Sequence, residues 1–183
     1  MPDYNVPTVT PNNTTLGQGI VFIGPSGATP SVDFGAVRNI RVTPEPTKTE
    51  LMQGAPQSLI HSFVSVNRAY MAFDMYEWDY NRFAYALAAG QTTQSGTEEV
   101  VTFGGEPTVT TVAVHLQHRM AQSGDTLNTY MWTAEAEDAP EHAYADDEFH
   151  TIPVRFQARR SPTNWAGVAL AAGAQLIEVE RVL

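Results

Sequence analysis

The sequence predicts a mainly β fold, an antiparallel β-sandwich or barrel with one packed α-helix. Apolar and polar side chains alternate in several stretches of the second half, as in TIPVRFQARR at 151–160, and such alternation is typical of half-buried antiparallel strands. One stretch, EWDYNRFAYALAAG at 77–90, has the helical period instead. The 183 residues fit one domain. We expect that domain at 19–183, after an extended N-terminal tail at 1–18.

Composition excludes several classes of function. Twenty acidic residues face ten basic ones, which gives a net charge of −10. This balance argues against a nucleic-acid-binding protein, which needs a basic surface, and against docking on anionic membranes. The absence of cysteine excludes disulfides, thiolate metal sites and a cysteine nucleophile. No apolar run approaches the roughly 20 residues of a membrane span, and residues 1–19 do not resemble a signal peptide.

The first half begins with a short buried strand, GIVFIG at 19–24, followed by a turn. A second strand is expected at 36–43 and a long third one at about 62–73. In the third strand we expect one face to be formed by four apolar residues: Phe63, Ala69, Met71 and Phe73.

The segment between the second and third strands is too long for an ordinary hairpin turn. It contains three prolines, Pro44, Pro46 and Pro56, among small and polar residues. A long connection without structure of its own is uncommon in a compact domain unless it has a function. We therefore predict a long extended hairpin arm at about 44–61.

The helix is expected at about 77–89. Its apolar stripe follows the i, i+3, i+4, i+7 spacing, and it consists of Tyr80, Phe83, Ala84, Leu87 and Ala88. Glu77 and Asp79 place negative charge near its N-terminus, and Gly90 stands where a C-terminal glycine belongs.

The second half is predicted to be β-strand throughout, after a loop at 91–99. Strands are expected within 108–120, 127–137, 151–160 and 175–183, with a Gly/Ala-rich link at 166–174. In 151–160 the inward side chains are expected to be Ile152, Val154, Phe156 and Ala158.

No residue set predicts catalysis, a metal or a cofactor. His115 and His118 are three apart on a strand and should point to opposite faces. His142 and His150 flank carboxylates within the acidic run 135–148, which has seven acids and no base. We interpret that run as a solvated loop, with a cation site as the alternative. There is no phosphate-loop motif and no G-x-S-x-G.

The order of these parts resembles the major tail (tail-tube) proteins of tailed bacteriophages, over most of residues 16–183. The stretches that carry the resemblance are TELMQGAPQSLIHSFVSVNRAYMAFDMYEWDYNRFAYALAAG at 49–90 and DDEFHTIPVRFQARRSP at 146–162. In that family an arm-bearing hairpin runs into the helix, and a strand similar to IPVRF precedes the last strand. The ending at 164–181 has more Gly and Ala than that family would lead us to expect.

The resemblance implies a structural virion protein that forms six-membered rings, which stack into a tube around a channel for DNA. The arm would reach a neighbouring subunit or the next ring, through Pro44, Pro46, Leu51, Met52, Pro56, Leu59 and Ile60. An acidic wall would let DNA slide through without holding it. The candidates for lumen-facing residues are Thr43, Glu45, Thr111, His115 and Gln117.

The implied partners are further copies of the chain, and tape-measure, tail-terminator and baseplate proteins. A contractile tail would add a sheath protein. DNA would be a partner only in transit, no membrane is implied, and the location would be the virion tail, assembled in the bacterial host cytoplasm. Two alternatives remain: another phage structural protein (tail terminator, baseplate or capsid decoration) on a related β scaffold, and a cupin-like enzyme or ligand binder that uses His115 or His118.

Overall fold

The structure is a computed structural model that describes residues 19–54, 57–77, 79–87, 90–103, 109–120, 123–137 and 151–183. The predicted tail at 1–18, Pro56, Ala88, His142, His150 and residues 138–150 of the acidic region lie outside the described residues. The described strands are β1 (Ile20–Pro25), β2 (Val32–Asp33), β3 (Val37–Gln53), β4 (Ser58–Met75), β5 (Gly90–Ser95), β6 (Glu98–Phe103), β7 (Thr111–Arg119), β8 (Thr126–Ala136), β9 (Ile152–Ala158) and β10 (Glu178–Val182). The α-helix α1 spans Tyr80–Ala86, and a short 3-10 helix spans Ala172–Ala174.

Eight strands form one antiparallel sheet in the order β2-β1-β7-β8-β9-β4-β3, with β10 paired to β8 off this path. Strand β8 is the branch point. Residues 126–130 of β8 pair with β10, whereas residues 134–136 pair with β9. Within the described strands no ladder joins the two ends of the sheet, so the sheet is open and does not close into a barrel.

The core lies on one face of this sheet and is shared by its two halves. Buried residues of β1 and β7 belong to the same apolar cluster as those of β4 and β9. Phe34, which follows β2 at one end of the sheet, packs its ring edge-on against Phe73 of β4, 5.1 Å between centroids. The sheet therefore bends over its own apolar face, and burial of that face is the main contribution to the stability of the fold.

The predicted alternation of the later strands is confirmed. All four inward residues of β9 are buried: Ile152, Val154, Phe156 and Ala158. The face of β4 is corrected at one position: Ala69, Met71 and Phe73 are buried, but Phe63 is 52% exposed. Strand β9 pairs with β4 only from Tyr70 to Met75, and Phe63 lies beyond that part of the sheet.

The helix is confirmed, but it is shorter than the predicted 77–89. Asp79 is its N-cap and accepts a hydrogen bond from the backbone N–H of Arg82, 3.0 Å, a contact typical of helix starts. Leu87 already has extended backbone angles, and Gly90 begins β5 instead of capping the helix.

The predicted packing stripe of the helix is partly wrong. The buried positions at its end are Ala86 and Leu87, while Phe83 and Tyr85 pack half-buried against the core. Tyr80 and Ala84 are only half-buried. The predicted stripe ran from Tyr80 to Ala88, but the helix has only seven residues and ends at Ala86. The buried residues at its C-terminal end therefore lie where the chain turns into β5, and they do not follow the helical period.

The loop predicted at 91–99 is wrong, because it forms most of the hairpin β5–β6. This hairpin is a separate two-stranded sheet, and α1 contacts both of its strands. Its turn includes Gly96, whose φ of +63° suits a residue without Cβ. Among the described residues no helix is long and apolar enough to cross a bilayer.

Candidate functional site

The predicted arm is an ordered two-stranded ribbon. Strands β3 and β4 pair from Val37 opposite Met75 to Gln53 opposite Ser58. Since β9 reaches only as far as Tyr70, residues 44–53 and 58–69 have each other as ladder partners within the described residues. We call these residues the arm. At about 3.3 Å per residue the arm extends roughly 30 Å past the sheet.

Side chains of the arm are apolar and exposed on both of its faces. Met52 lies opposite Leu59, and Val64, opposite Lys48, shares their face. We call this face A; its three apolar residues are 45–55% exposed. Face B carries Leu51 opposite His61, and Phe63 opposite Thr49. The rings of His61 and Phe63 stack at 6.4 Å, as expected for residues i and i+2 on one face.

The apolar arm residues predicted from the sequence all lie on the exposed surface of the arm. Leu51, Met52, Leu59 and Ile60 are all exposed by 45% or more. Ile60 sits at an irregularity of the ladder between Leu51 and Met52. Phe63 and Val64, each 52% exposed, were missed as members of this surface, because the predicted arm ends at about 61 and Phe63 is assigned to the apolar face of the third strand.

Pro44 and Pro46 lie inside β3, opposite Ala69 and Asn67. Strand β3 ends the order of the sheet. An edge strand tolerates proline because its outer N–H groups have no ladder partner to lose. The same prolines cannot donate to an added strand, so they limit uncontrolled pairing along this edge.

Strand β10 also has an open outer edge, in addition to the strands β3 and β2 that end the order of the sheet. Within the described strands β10 pairs with β8 alone, and its side chains Val179 and Val182 are 58% and 47% exposed. Leu183 follows at 93% exposure. The outer edge of β10 therefore has no ladder partner among the described residues, and the strand exposes apolar side chains between charged ones.

The lumen candidates lie on the sheet face opposite the core. Two of them, Thr43 and Thr111, are connected by ladder pairs in one row across five strands: Thr43, Tyr70, Gln157, Glu135 and Thr111. The row spans about four strand spacings, or roughly 19 Å. Thr43 is exposed and Thr111 half-buried, so the register places two residues that are distant in sequence on one polar surface.

This polar surface is not acidic overall. Its glutamates pair with arginines: Glu137 with Arg155 at 2.8 Å, Glu135 with Arg159 at 3.0 Å, and Glu45 with Arg155 at 3.9 Å. Arg155 also lies over the ring of Tyr70, 4.2 Å from its centroid. The partly exposed ion pairs each add little to stability, but their two arginines offset most of the charge of the three glutamates.

Most of the acidic excess lies elsewhere in the chain. The described residues hold all ten basic side chains and 13 of the 20 acidic ones, so they account for −3 of the net charge of −10. Five of the remaining acids fall in 138–148.

His115 belongs to an aromatic cluster. Its ring stacks on Tyr130 at 4.9 Å and on Phe22 at 5.8 Å, and Trp165 of the C-terminal segment meets it edge-on. Its Nε2 is 3.1 Å from Oδ1 of Asn128. His115 is half-buried by these contacts, as is its lumen-candidate neighbour Gln117.

Two polar contacts hold β10 in place: one joins it to Tyr130 of β8, and the other joins it to Asp125 in the turn before β8. The phenol of Tyr130 donates to a carboxylate oxygen of Glu180, 3.0 Å. Burial, and then this contact, raise the pKa of Tyr130 to about 12. Arg181 donates to Asp125 at 2.6 Å, and this contact lowers the pKa of Asp125 below its ordinary value.

A cavity of about 570 Å³ lies between β3 and the strands β7, β8 and β10. Its walls are largely apolar and include Ile40, Val42, Leu116 and Val179. His118 lines the cavity, and its Nε2 is buried without a hydrogen-bond partner among the described residues. His115 and His118 thus lie on opposite sides of β7, as predicted. No group of three or more potential metal ligands occurs in the part of the chain that the structure describes.

No protein-family model matches the chain, and no curated protein matches it either.

Proposed function

We propose that this chain is a structural protein that assembles with copies of itself into stacked rings, six-membered by family resemblance, which form the tail tube of a phage or a phage-like particle. DNA would pass through the channel of the tube. The observation that carries the proposal is the arm, an ordered ribbon that projects about 30 Å from the sheet and exposes large apolar side chains.

The arm supports the proposal of assembly because exposure of its apolar side chains to water is unfavourable in free energy. Six apolar residues of the arm, including Leu51, Leu59 and Phe63, are each about half exposed. They place an apolar surface on the order of several hundred Å² on one projection, the size that marks an interaction site on soluble proteins. Burial against another subunit removes that surface from water.

The open sheet supports ring formation. Its outer edges at β3 and β10 offer backbone groups to a neighbouring copy. If the edge of one copy paired with the other edge of the next, each copy would repeat the same contact, and such a heterologous contact gives a ring when the rotation closes. An arm that reaches along the ring axis would add the stacking contact, which does not close and gives a tube.

A channel for DNA requires that positive charges on its wall be paired with negative ones. DNA slides past a wall only when phosphates are not held there. The paired arginines of the polar face, Arg155 and Arg159, have their charge offset by glutamates. The acids at 138–148 supply the repulsion if they face the channel.

The test is negative-stain electron microscopy of the purified chain at rising concentration, beside a variant with a shortened arm. Pro46 and Asn67 lie directly opposite each other in the ladder, so residues 47–66 can be replaced by an Asn-Gly turn, which joins antiparallel strands in two residues. A second variant keeps the arm length and changes Leu51, Leu59, Phe63 and Val64 to Ser.

Hollow filaments with a regular ring repeat are expected for the natural chain, and neither variant should form them. Both variants should melt cooperatively as monomers, because the core residues are untouched. Single rings without filaments would favour a tail terminator or baseplate protein. A monomer under all conditions would contradict any assembly function, and the cavity beside His118 would then be the place to look for a ligand.

A further inference from the structure

Contact with a single flat surface cannot remove the apolar side chains of both arm faces from water. Face A exposes Met52, Leu59 and Val64, and face B exposes Leu51 and Phe63. A ribbon that lies flat on one surface covers one of its faces and leaves the other in water. Natural strands that are solvated on one side collect their polar residues there, whereas the arm exposes apolar residues among polar ones, such as Glu50 and Thr49, on both faces.

The arm also has little stability of its own. Two strands alone are marginal in water, and a third layer or strand is needed for independent stability. Beyond Tyr70 no third strand pairs with β4 in the described residues. Layers on both faces would provide what the ribbon lacks, in the way that two packed sheets enclose a core.

The same chain carries surfaces suited to cover these faces. Val179 of β10, 58% exposed, lies beside Ile177 and Leu127 in the wall of the cavity, so the body of the protein carries an apolar region at this place. A stable interface needs about 800 Å² on each partner, more than one face of the arm provides. Contacts repeated around a ring make up this deficit through multivalency.

We infer that, within the assembly proposed above, each arm lies between two other copies of this chain, one against face A and the other against face B. Each copy is then held by three-chain junctions, and removal of the apolar residues from either face alone weakens the assembly. The inference rests on the proposed function, since it requires that copies assemble.

The absence of cysteine in the chain makes a clean test available. Single variants Leu59→Cys on face A and Phe63→Cys on face B are each mixed as a trace into an excess of unmodified chain. Thiol reaction with a maleimide is then timed in monomers and in assembled particles. Val168→Cys is the matched control, since Val168 is 60% exposed and far from the arm in sequence.

Both arm thiols should react about tenfold or more slowly after assembly, because thiol reactivity depends on access, while the control thiol keeps its rate. Protection on one face only, or on neither, in particles that electron microscopy shows to be assembled would overturn the inference and leave the proposed function standing. Failure of the unmodified chain to assemble would overturn both.

A second measurement counts the chains around one arm. The double variant Leu59→Cys/Phe63→Cys carries a benzophenone on each thiol and is again diluted into unmodified chain. After illumination and denaturation, adducts of three chains are expected. Adducts that never exceed two chains would show that one copy wraps both faces, which contradicts the inference.

Discussion

The phenol of Tyr130 on β8 donates a hydrogen bond to the Glu180 carboxylate on β10, 3.0 Å away. The two strands pair there, with Glu178 opposite Tyr130 and Glu180 opposite Asn128. This contact joins the last strand to the aromatic cluster of His115, Trp132 and Trp165. Strand β10, whose outer edge has no ladder partner among the described strands, is thus positioned by a titratable side chain.

Stability should fall with rising pH between about 10 and 12 because of Tyr130. Its pKa is about 12 in the folded protein, against about 10 in an unfolded chain. The folded state therefore keeps the proton longer, and the contribution is complete below pH 10 and lost as pH rises through 12. Thermal melts of the natural chain and Tyr130→Phe measure it as a difference in Tm that shrinks across this window.

A second variant separates the two causes of that pKa. Glu180→Gln removes the carboxylate and leaves the burial, so the pKa of Tyr130 should move only part of the way back to about 10. Absorbance of the phenolate during alkaline titration reports it. A difference in Tm that stays constant from pH 9 to 12 would contradict the assignment.

Phe156→Ala should destabilise the fold by about 3–5 kcal/mol, the usual cost of removing a buried phenylalanine. Phe156 is fully buried and contacts the rings of Phe34 and Phe73. The matched control is Phe63→Ala in the arm, where half of the side chain is already in water. Urea unfolding of the monomers should show a much smaller loss for the control, and equal losses would mean that Phe63 is packed in the monomer.

Asp79→Ala should cost about 1 kcal/mol through loss of the helix N-cap. The side chain of Asp79 accepts from the N–H of Arg82, one of the four N–H groups that the helix leaves without an internal partner. Asp79→Asn keeps an acceptor and should retain most of the stability. Chemical unfolding of both variants checks this, and equal loss in the two would assign the effect to charge and not to the hydrogen bond.

Leu59→Ser should raise the protein concentration needed for assembly and leave the monomer Tm unchanged. Leu59 is 55% exposed on the arm, and Val168, 60% exposed outside it, provides the control Val168→Ser with the same change of polarity. Sedimentation across a concentration series measures the threshold. If both substitutions shifted it equally, general surface hydrophobicity would explain assembly better than the arm does.

Patterns of two-residue period predicted the structure well. The inward residues of β9 and the opposite placement of His115 and His118 on β7 followed from alternation alone, because side chains on successive strand residues point to opposite faces. The existence of α1 followed from its period of 3.6, but both ends were misplaced: the helix begins at Tyr80 after its N-cap Asp79, and it ends before Leu87, which is extended.

Patterns without alternation misled the prediction. The Thr- and Gln-rich segment at 91–95 looked like a loop but pairs with β6. The extended hairpin arm predicted at about 44–61 is confirmed, but its sequence did not show that the segment after Val42 continues β3 as a regular paired strand. Both became strands through pairing with a partner, and a single segment does not encode its partner. Phe63 looked like a core residue for a related reason. A register shift between Thr47 and Lys48 of β3 breaks the alternation of β4, so Phe63, opposite Thr49, lies on the face of Tyr70 and not on that of Met71.

The sequence by itself determined that this protein is mainly β-strand, has one helix and carries a long arm between two strands, because these properties depend on local periodicity and on the position of prolines. The tertiary structure alone decided that the arm is a two-faced ribbon, that Thr43 and Thr111 share one row, and that the arginines of that face offset most of the charge of its glutamates. These features depend on ladder register, which is set by contacts between residues far apart in the chain.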